Sequence, residues 1–440
     1  MTNPELKNAS KTNQNVAQAL ISYCSTVDIS HIFAVPGGAI EPLFNAIAVS
    51  NDLSLVIARH ESGAAFMADG FYRETGRMAV ACATTGPGAT NLITGVASAY
   101  AENIPMLVIT AQTPLAKFGR KALQESSSVA VDTVSLFTPI TVFNMLVADA
   151  SQLKTAFFAA VCAALRHKKP VHLSIPSDVF RQSINFEELG TLPKEANFVD
   201  EEDLTKLLAG LSKSKRIALL VGENVSGAQK EIANFINMVD CQYACTPMGK
   251  GFVDETHPNF MGVFGFAGHA SAKELLDMNS DIIVCAGMEL DELSTSGWSN
   301  LTNNNKVFHL NANPECFVRA CSSNQVFGSV KTIFQRLNKE LSNWGLKSSK
   351  ENSSLKQIEY SSTPSEKIKP QDLMRKLSKA ADARYFIDAG NSWSWATHYL
   401  LTSSNNGEYR IGMGFGSMAC AIGASIGGAF NRKTTFCVVG

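Results

Sequence analysis

Strand-length runs of unbroken apolar residues, spaced by helix-like stretches rich in small residues, constrain this chain more than any other feature. MAVACATT (78–85), IPMLVITA (104–111) and KPVHLSIP (169–176) are continuous rather than alternating, as strands buried on both faces are. LSLVIARH (53–60) reads the same way, and HIFAVPGG (31–38) is a short strand closed by a Pro-Gly-Gly turn. Between these runs, ESGAAFMADGFYRETG and ATNLITGVASAYAEN read as helices whose small residues allow close packing on a sheet. Alternation of this kind predicts α/β domains with doubly wound parallel sheets.

The pattern recurs in three blocks, and 440 residues exceed what one hydrophobic core accommodates. The first block spans 1–182. A polar connection leads to the second, 198–346, with a helix at VDEEDLTKLLAGLSKS and strands at RIALLVG, DIIVCAG and KVFHLNA. A Ser/Lys/Glu-rich linker covers 347–368. The third block, 369–440, holds helix PQDLMRKLSKAA, strand RYFIDAGN, a Gly-rich loop with a helix, and strand TTFCVVG. That last strand reads as apolar and uncovered, so the third domain is expected to be incomplete.

Composition excludes several classes. A net charge of -1 leaves no footprint for nucleic acid or an anionic membrane. The polar N-terminus lacks the apolar core of a secretory signal. The uncharged stretch 411–430 is dominated by Gly, Ala and Ser and suits a Gly-rich loop entering a packed helix better than a membrane span. Most of the ten cysteines sit in apolar runs, Cys82, Cys285 and Cys437 among them. The pairs Cys241/Cys245 and Cys316/Cys321 lack the partner pattern of a zinc site. A reducing cytoplasm is the simplest setting.

Chemistry concentrates at strand ends. Arg59-His60-Glu61-Ser62-Gly63 follows one strand and opens a helix, and Thr85-Gly86-Pro87-Gly88-Ala89-Thr90-Asn91 follows the next. Open α/β sheets place ligand groups there. Asn91 stands where a dinucleotide fingerprint has its third Gly. Taken singly, each motif also suits a plain Gly-rich turn or a surface Glu at a helix start, where the dipole favours it.

Together with PGGAIEPLF (36–44) and FGRKALQE (118–125), in this order and spacing, these motifs resemble the pyrimidine-binding domain of thiamine diphosphate enzymes, most closely acetolactate synthases. The resemblance runs through all three blocks: pyrimidine-binding, central Rossmann-like, and the start of a diphosphate-binding domain. It implies that Glu61 bonds to N1′ of the aminopyrimidine, which needs a carboxyl in a largely apolar pocket where proton sharing is feasible. Pro36 and Gly37 would line the pyrimidine, with Thr84, Pro87 and Asn91 approaching the same ring. Gln124 would orient a keto acid or its developing alkoxide; its plainer reading is a polar loop residue. Gly390, Asn391 and Ser392 would offer donors to the diphosphate. Gly416, Ser417 and Met418 match the loop whose bulky apolar residue bends the cofactor, with Met413 as the competing candidate.

Two departures qualify the resemblance. Members of the family carry an arginine pair in a GARFDDR-like stretch that helps choose the second keto acid and neighbours FAD. Here that stretch is Gly287-Met288-Glu289-Leu290-Asp291-Glu292-Leu293, with Glu289 and Leu293 in the arginine places. FAD is therefore doubtful, because Glu reverses an arginine's interaction with a carboxylate. A second family motif, Pro-Lys-Asp, is Pro176-Ser177-Asp178 here. The Gly-Asp-Gly motif that ligates Mg2+ occurs nowhere in the sequence, and its place would begin at Gly440. The Mg2+ ligands are expected beyond residue 440. The chain reads as a fragment of a longer protein, or as a split or decayed gene product, inactive by itself.

The expected function of the intact protein is thiamine diphosphate-dependent decarboxylation of a 2-keto acid such as pyruvate, followed by carboligation. A simple decarboxylase or lyase is the alternative, with a catalytically inactive binding or regulatory subunit as a third reading. No adjacent His-His pair occurs, which favours ligation. The family's sites lie between subunits, so a homodimer or homotetramer is expected.

Overall fold

The structure, a computed structural model, describes residues 14–193, 197–277, 280–297, 305–320, 324–350, 354–360, 367–380, 382–403 and 408–440. The polar N-terminus before residue 14, Cys321 and parts of the expected linker lie outside the described residues. The chain forms two compact units. One holds the residues up to 193 and those from Gly414 to Val439; the other holds those from 197 to Met413, with Gly440.

In the first unit, helix α1 (Val16–Thr26) starts at Asn15, whose side chain accepts from the Gln18 N–H while Gln18 answers to the Asn15 N–H. This reciprocal cap satisfies two amides that the helix leaves unpaired. Strands β1 (His31–Ala34), β2 (Ser54–Ile57), β3 (Val80–Ala83), β4 (Met106–Gln112), β5 (Asn144–Leu146) and β6 (Pro170–Pro176) form one parallel sheet in the order β2-β1-β3-β4-β6-β5. Every residue of β3, β4 and β6 is buried, as their continuous apolar runs require. By contrast β2 is an edge strand, and Ile57 is 54% exposed. Its apolar run alone could not reveal that position.

Helix α2 (Glu41–Ala48) follows β1, and α3 (Glu61–Thr75) follows β2. Gly76 ends α3 in the left-handed region (φ 69°), with its N–H on the Tyr72 carbonyl. The expected helix after β3 divides into α4 (Pro87–Asn91) and α5 (Ile93–Ala101). Two further helices, α6 (Thr133–Phe137) and α7 (Leu153–His167), complete the N-terminal part.

In the second unit, α8 (Glu201–Lys213) leads into β7 (Ile217–Val221), followed by α9 (Gln229–Val239), β8 (Gln242–Cys245), β9 (Phe260–Val263), α10 (Ala270–Asp277), β10 (Ile282–Ala286), β11 (Val307–Asn311), β12 (Asn324–Phe327) and α11 (Val330–Leu341). The sheet is again six-stranded and parallel, ordered β9-β8-β7-β10-β11-β12. That is the strand order of the doubly wound dinucleotide-binding fold. The same unit contains α12 (Pro370–Leu377), β13 (Ala383–Ile387), α13 (Asn391–Tyr399) and β14 (Tyr409–Ile411), with β13 and β14 paired in parallel. Lys250 and Glu255 form a fully buried ion pair, and Glu255 also accepts from the Gly251 N–H at 2.9 Å and the Thr402 hydroxyl at 3.1 Å. The α/β class with parallel sheets is thus what the chain adopts.

Helix α14 (Cys420–Gly428) and strand β15 (Thr434–Val438) belong to the first unit. The small residues of α14 let it lie against α3: a Cβ on Gly70 would stand 1.9 Å from the Ala424 carbonyl oxygen, and one on Gly427 1.9 Å from that of Met67. The uncharged stretch is a packed helix, and no helix among the described residues is long and apolar enough to cross a membrane. Cys437 is exposed on β15, contrary to its apolar surroundings in sequence.

Candidate functional site

The strand order of the first sheet reverses between β1 and β3, so the loops leaving their carboxyl ends flank a crevice. Pro36 and Gly37 leave β1, and Thr84 to Asn91 leave β3. Glu61 is the first residue of α3, which begins where His60 stays extended and its Nδ1 accepts from the Ser62 N–H at 3.2 Å. The local cap therefore fixes where the Glu61 side chain starts.

Glu61 is buried. Its Oε2 accepts a hydrogen bond from Asn91 Nδ2 at 3.0 Å. Its Oε1 has no hydrogen-bond partner among the described residues and faces Gly88, where a Cβ would stand 3.4 Å away. That same Cβ would meet Thr84 Cγ2 at 2.8 Å, and a Cβ on Gly37 would meet Thr84 Cβ at 2.5 Å. Gly37 and Gly88 thus let their loops lie directly against Thr84, with Gly88 also beside the Glu61 carboxyl. The Thr84 hydroxyl is buried with no hydrogen-bond partner among the described residues, an unsatisfied group of the kind a ligand or water would complete. Pro36 and Pro87 stand exposed at the rim.

Gln124 is exposed and left-handed (φ 56°), facing Gly86, where a Cβ would lie 2.9 Å from Gln124 Cβ. Its carbonyl accepts from the Thr85 hydroxyl at 2.9 Å. The Ser126 hydroxyl accepts from the Gly86 N–H at 2.9 Å, and Gln112 Oε1 accepts from the Ser126 N–H at 3.0 Å. Glu125 accepts from the Ser127 hydroxyl and the Gly119 N–H, each at 2.6 Å, and these bonds hold its carboxyl below the usual range. Gln112, Glu125 and Ser126 therefore shape the loop that carries Gln124. Their only signal in sequence is proximity to it.

The remaining residues fall in two places. In the first unit, Gly416 is left-handed (φ 68°), the Ser417 hydroxyl is buried without a partner, and Met418 is 70% exposed. The loop is tied down where Glu102 Oε1 accepts from the Gly414 N–H. In the second unit, Gly390 and Asn391 stand exposed at the start of α13, whereas the Ser392 hydroxyl is spent on the Asp388 carbonyl at 2.7 Å. Met413 is buried there, unlike exposed Met418. Among the described residues no three His, Cys, Asp or Glu side chains stand together to hold a metal.

Residues 14–132 match the family described as thiamine pyrophosphate enzyme, N-terminal TPP binding domain. Residues 204–337 match the thiamine pyrophosphate enzyme, central domain. A probable acetolactate synthase large subunit from Methanococcus aeolicus is 29% identical, over 97% of this chain and 76% of the relative. An acetolactate synthase from Arthrospira platensis is 30% identical, over 96% of this chain and 77% of the relative. A probable acetolactate synthase large subunit from Methanocaldococcus jannaschii is also 30% identical, over 93% and 73%. An enzyme frame, a carboxyl with one open oxygen at the sheet's switch point, and relatives spanning nearly the whole sequence lead to one assignment: the chain belongs to the thiamine pyrophosphate enzyme family, close to acetolactate synthase large subunits.

Proposed function

We propose that the intact protein decarboxylates a 2-keto acid such as pyruvate with thiamine diphosphate and ligates the product to a second carbonyl, as an acetolactate synthase-like carboligase. The observation that carries this reading is the half-satisfied carboxyl of Glu61, held by Asn91 on one oxygen, with Gly88 beside the other. The orphaned Thr84 hydroxyl near it suits a partner of the same polar kind, such as a nitrogen-bearing ring.

When bound, thiamine diphosphate supplies the electron sink for losing carbon dioxide from a 2-keto acid. Glu61 would hold or release a proton through Oε1, while Asn91 keeps the carboxyl from rotating away. Gly37, Gly88 and Thr84 would contact the ring, with Pro36 and Pro87 at the rim. Gln124 would orient the keto acid carboxylate or a developing alkoxide. Asn391 and the backbone N–H groups opening α13 would be donors for a diphosphate, and Gly416, Ser417 and Met418 would contact the cofactor.

Mg2+ belongs to this reading as the partner of the diphosphate. A homodimer or homotetramer is proposed as well. Ile422 and Ile426 stand exposed on α14, with Phe415 and Met418 exposed in the loop before it and Phe430 just after it, and a second copy would cover these apolar side chains. Sedimentation showing only monomer would contradict it. The cytoplasm is the proposed location, in keeping with the absence of disulfides among the described residues.

The test uses the gene's full product with thiamine diphosphate, Mg2+ and pyruvate. Cofactor-dependent formation of acetolactate supports the reading. Acetaldehyde alone would favour the simple decarboxylase, and no cofactor binding at all would leave a binding or regulatory subunit.

A further inference from the structure

The second unit buries two histidines face to face. His269 closes the loop between β9 and α10, and His398 is the next-to-last residue of α13. Both are buried, and their rings stack with centroids 4.2 Å apart and planes 15° from parallel. Each ring nitrogen meets a backbone partner. His269 Nδ1 accepts from the Val263 N–H at 2.9 Å, and its Nε2 donates to the His398 carbonyl at 3.0 Å. His398 Nε2 accepts from the Ile358 N–H at 2.8 Å, and its Nδ1 donates to the Ala267 carbonyl at 3.1 Å.

A ring nitrogen that accepts from an N–H cannot carry a proton itself, so these four bonds specify both tautomers and a neutral pair. His269 is protonated on Nε2 alone, His398 on Nδ1 alone. Burial holds both imidazoles below the ordinary range, His269 at about 3, and the Lys250 ammonium adds to the effect at each ring. The Arg375 guanidinium acts in the same direction on His398. The backbone is shaped for these contacts. Gly262, at φ 102°, lies against the His269 ring, where a Cβ would stand 2.6 Å from Cγ. Ala267, whose carbonyl His398 reaches, takes the left-handed region (φ 51°), which is uncommon for a residue with a side chain. Gln357 Nε2 adds a second bond to the His398 carbonyl at 3.0 Å, and the Tyr399 hydroxyl donates to the Ile358 carbonyl at 2.9 Å.

We propose that His269 and His398 form a neutral clasp that sets the position of α13 from its C-terminal end, which makes His269 a positioning residue for the diphosphate donors at the helix's other end. The clasp gathers three separate stretches of chain: the loop 262–269, the segment 357–358 and α13 itself. α13 has nine residues, about two and a half turns, so a tilt or shift at His398 is carried along the helix to the N–H groups at Asn391. The role toward the diphosphate rests on the cofactor reading of Asn391 and α13; the two tautomers do not.

The experiment has two arms, both on the gene's full product. In the first, histidine side chains labelled with nitrogen-15 are read by NMR at neutral pH, with H269Q and H398Q assigning the two signals. A neutral Nε2-protonated ring should vanish in H269Q and a neutral Nδ1-protonated ring in H398Q. A charged imidazole or the reverse tautomer at either position overturns the clasp. In the second, thiamine diphosphate with Mg2+ is titrated by calorimetry into wild type, H269A and H269Q. H269A loses both of its side-chain bonds and should bind the cofactor about tenfold more weakly, with kcat at saturating cofactor within about threefold of wild type. Gln keeps a donor for the His398 carbonyl, so H269Q should recover most of the affinity. Equal affinity in all three proteins, or an equal loss in H269Q, overturns the positioning role. H398A, which removes the stack and two bonds, replaces H269A if that variant does not fold, with the same loss expected. No binding by wild type would instead refute the thiamine diphosphate reading, and the tautomers alone would decide the clasp.

Discussion

The two six-stranded sheets share parallel pairing and a switch of strand order beside their first strand, and both pack glycine backbone closely at their carboxyl ends. In the first, Gly37 and Gly88 lie directly against Thr84, whose hydroxyl is buried with no hydrogen-bond partner among the described residues, and Asn91 holds one Glu61 oxygen. In the second, Gly222 and Gly287 draw two loops together, and Glu223 and Glu289 use their neighbours' donors. The same residue type at the same place in the fold stands beside open polar groups in one unit and among paired ones in the other. Fold alone does not decide function; the side chains around the glycines do.

Three substitutions would break or sharpen this contrast. Gly88→Val puts a branched side chain against Thr84 and beside Glu61 and should lower turnover by more than about 100-fold, with a stability cost of roughly 1–3 kcal/mol from overpacking. Steady-state kinetics and denaturant melts separate the two effects, and near-normal turnover would show that this close approach is not needed. Gly222→Ala should act the other way round. Its Cβ would meet backbone rather than a movable side chain, so a loss of about 2–3 kcal/mol in stability is expected, with turnover per folded molecule unchanged. Asn91→Ala removes one bond to a carboxyl and should reduce kcat about tenfold to thirtyfold, with little change in melting. An Asn91→Ala effect confined to stability would make the Asn91–Glu61 bond a structural one.

Much of this was legible in the sequence, for physical reasons that differ by region. β3, β4 and β6 are buried on both faces, so their apolar runs announced them directly. The edge position of β2 was hidden, because pairing order is a long-range property. β8 and β9 were not picked out either: QYAC and FMGV are short and interrupted by a polar residue or glycine. Glu61 was visible because its helix start and the following Gly-Pro-Gly loop are local. What Gly88 does for Oε1, and what Ser126 and Glu125 do for Gln124, depends on contacts across strands, which no spacing encodes. The replacement of the family's arginines by Glu289 and Leu293 was apparent in sequence; the hydrogen bonds from Asn224 Nδ2 and from the Glu289 N–H to Glu223 were not.

The central claim is that Glu61 presents an open carboxyl oxygen to a pyrimidine nitrogen. Its most direct measurement is thiamine diphosphate-dependent release of carbon dioxide from pyruvate by the full gene product and by its Glu61→Gln variant, which keeps the shape and removes the ionisable group. The account predicts a loss in kcat of about 100-fold to 10,000-fold with unchanged melting and a cofactor affinity within about tenfold of wild type. Turnover by Glu61→Gln equal to that of wild type would contradict it.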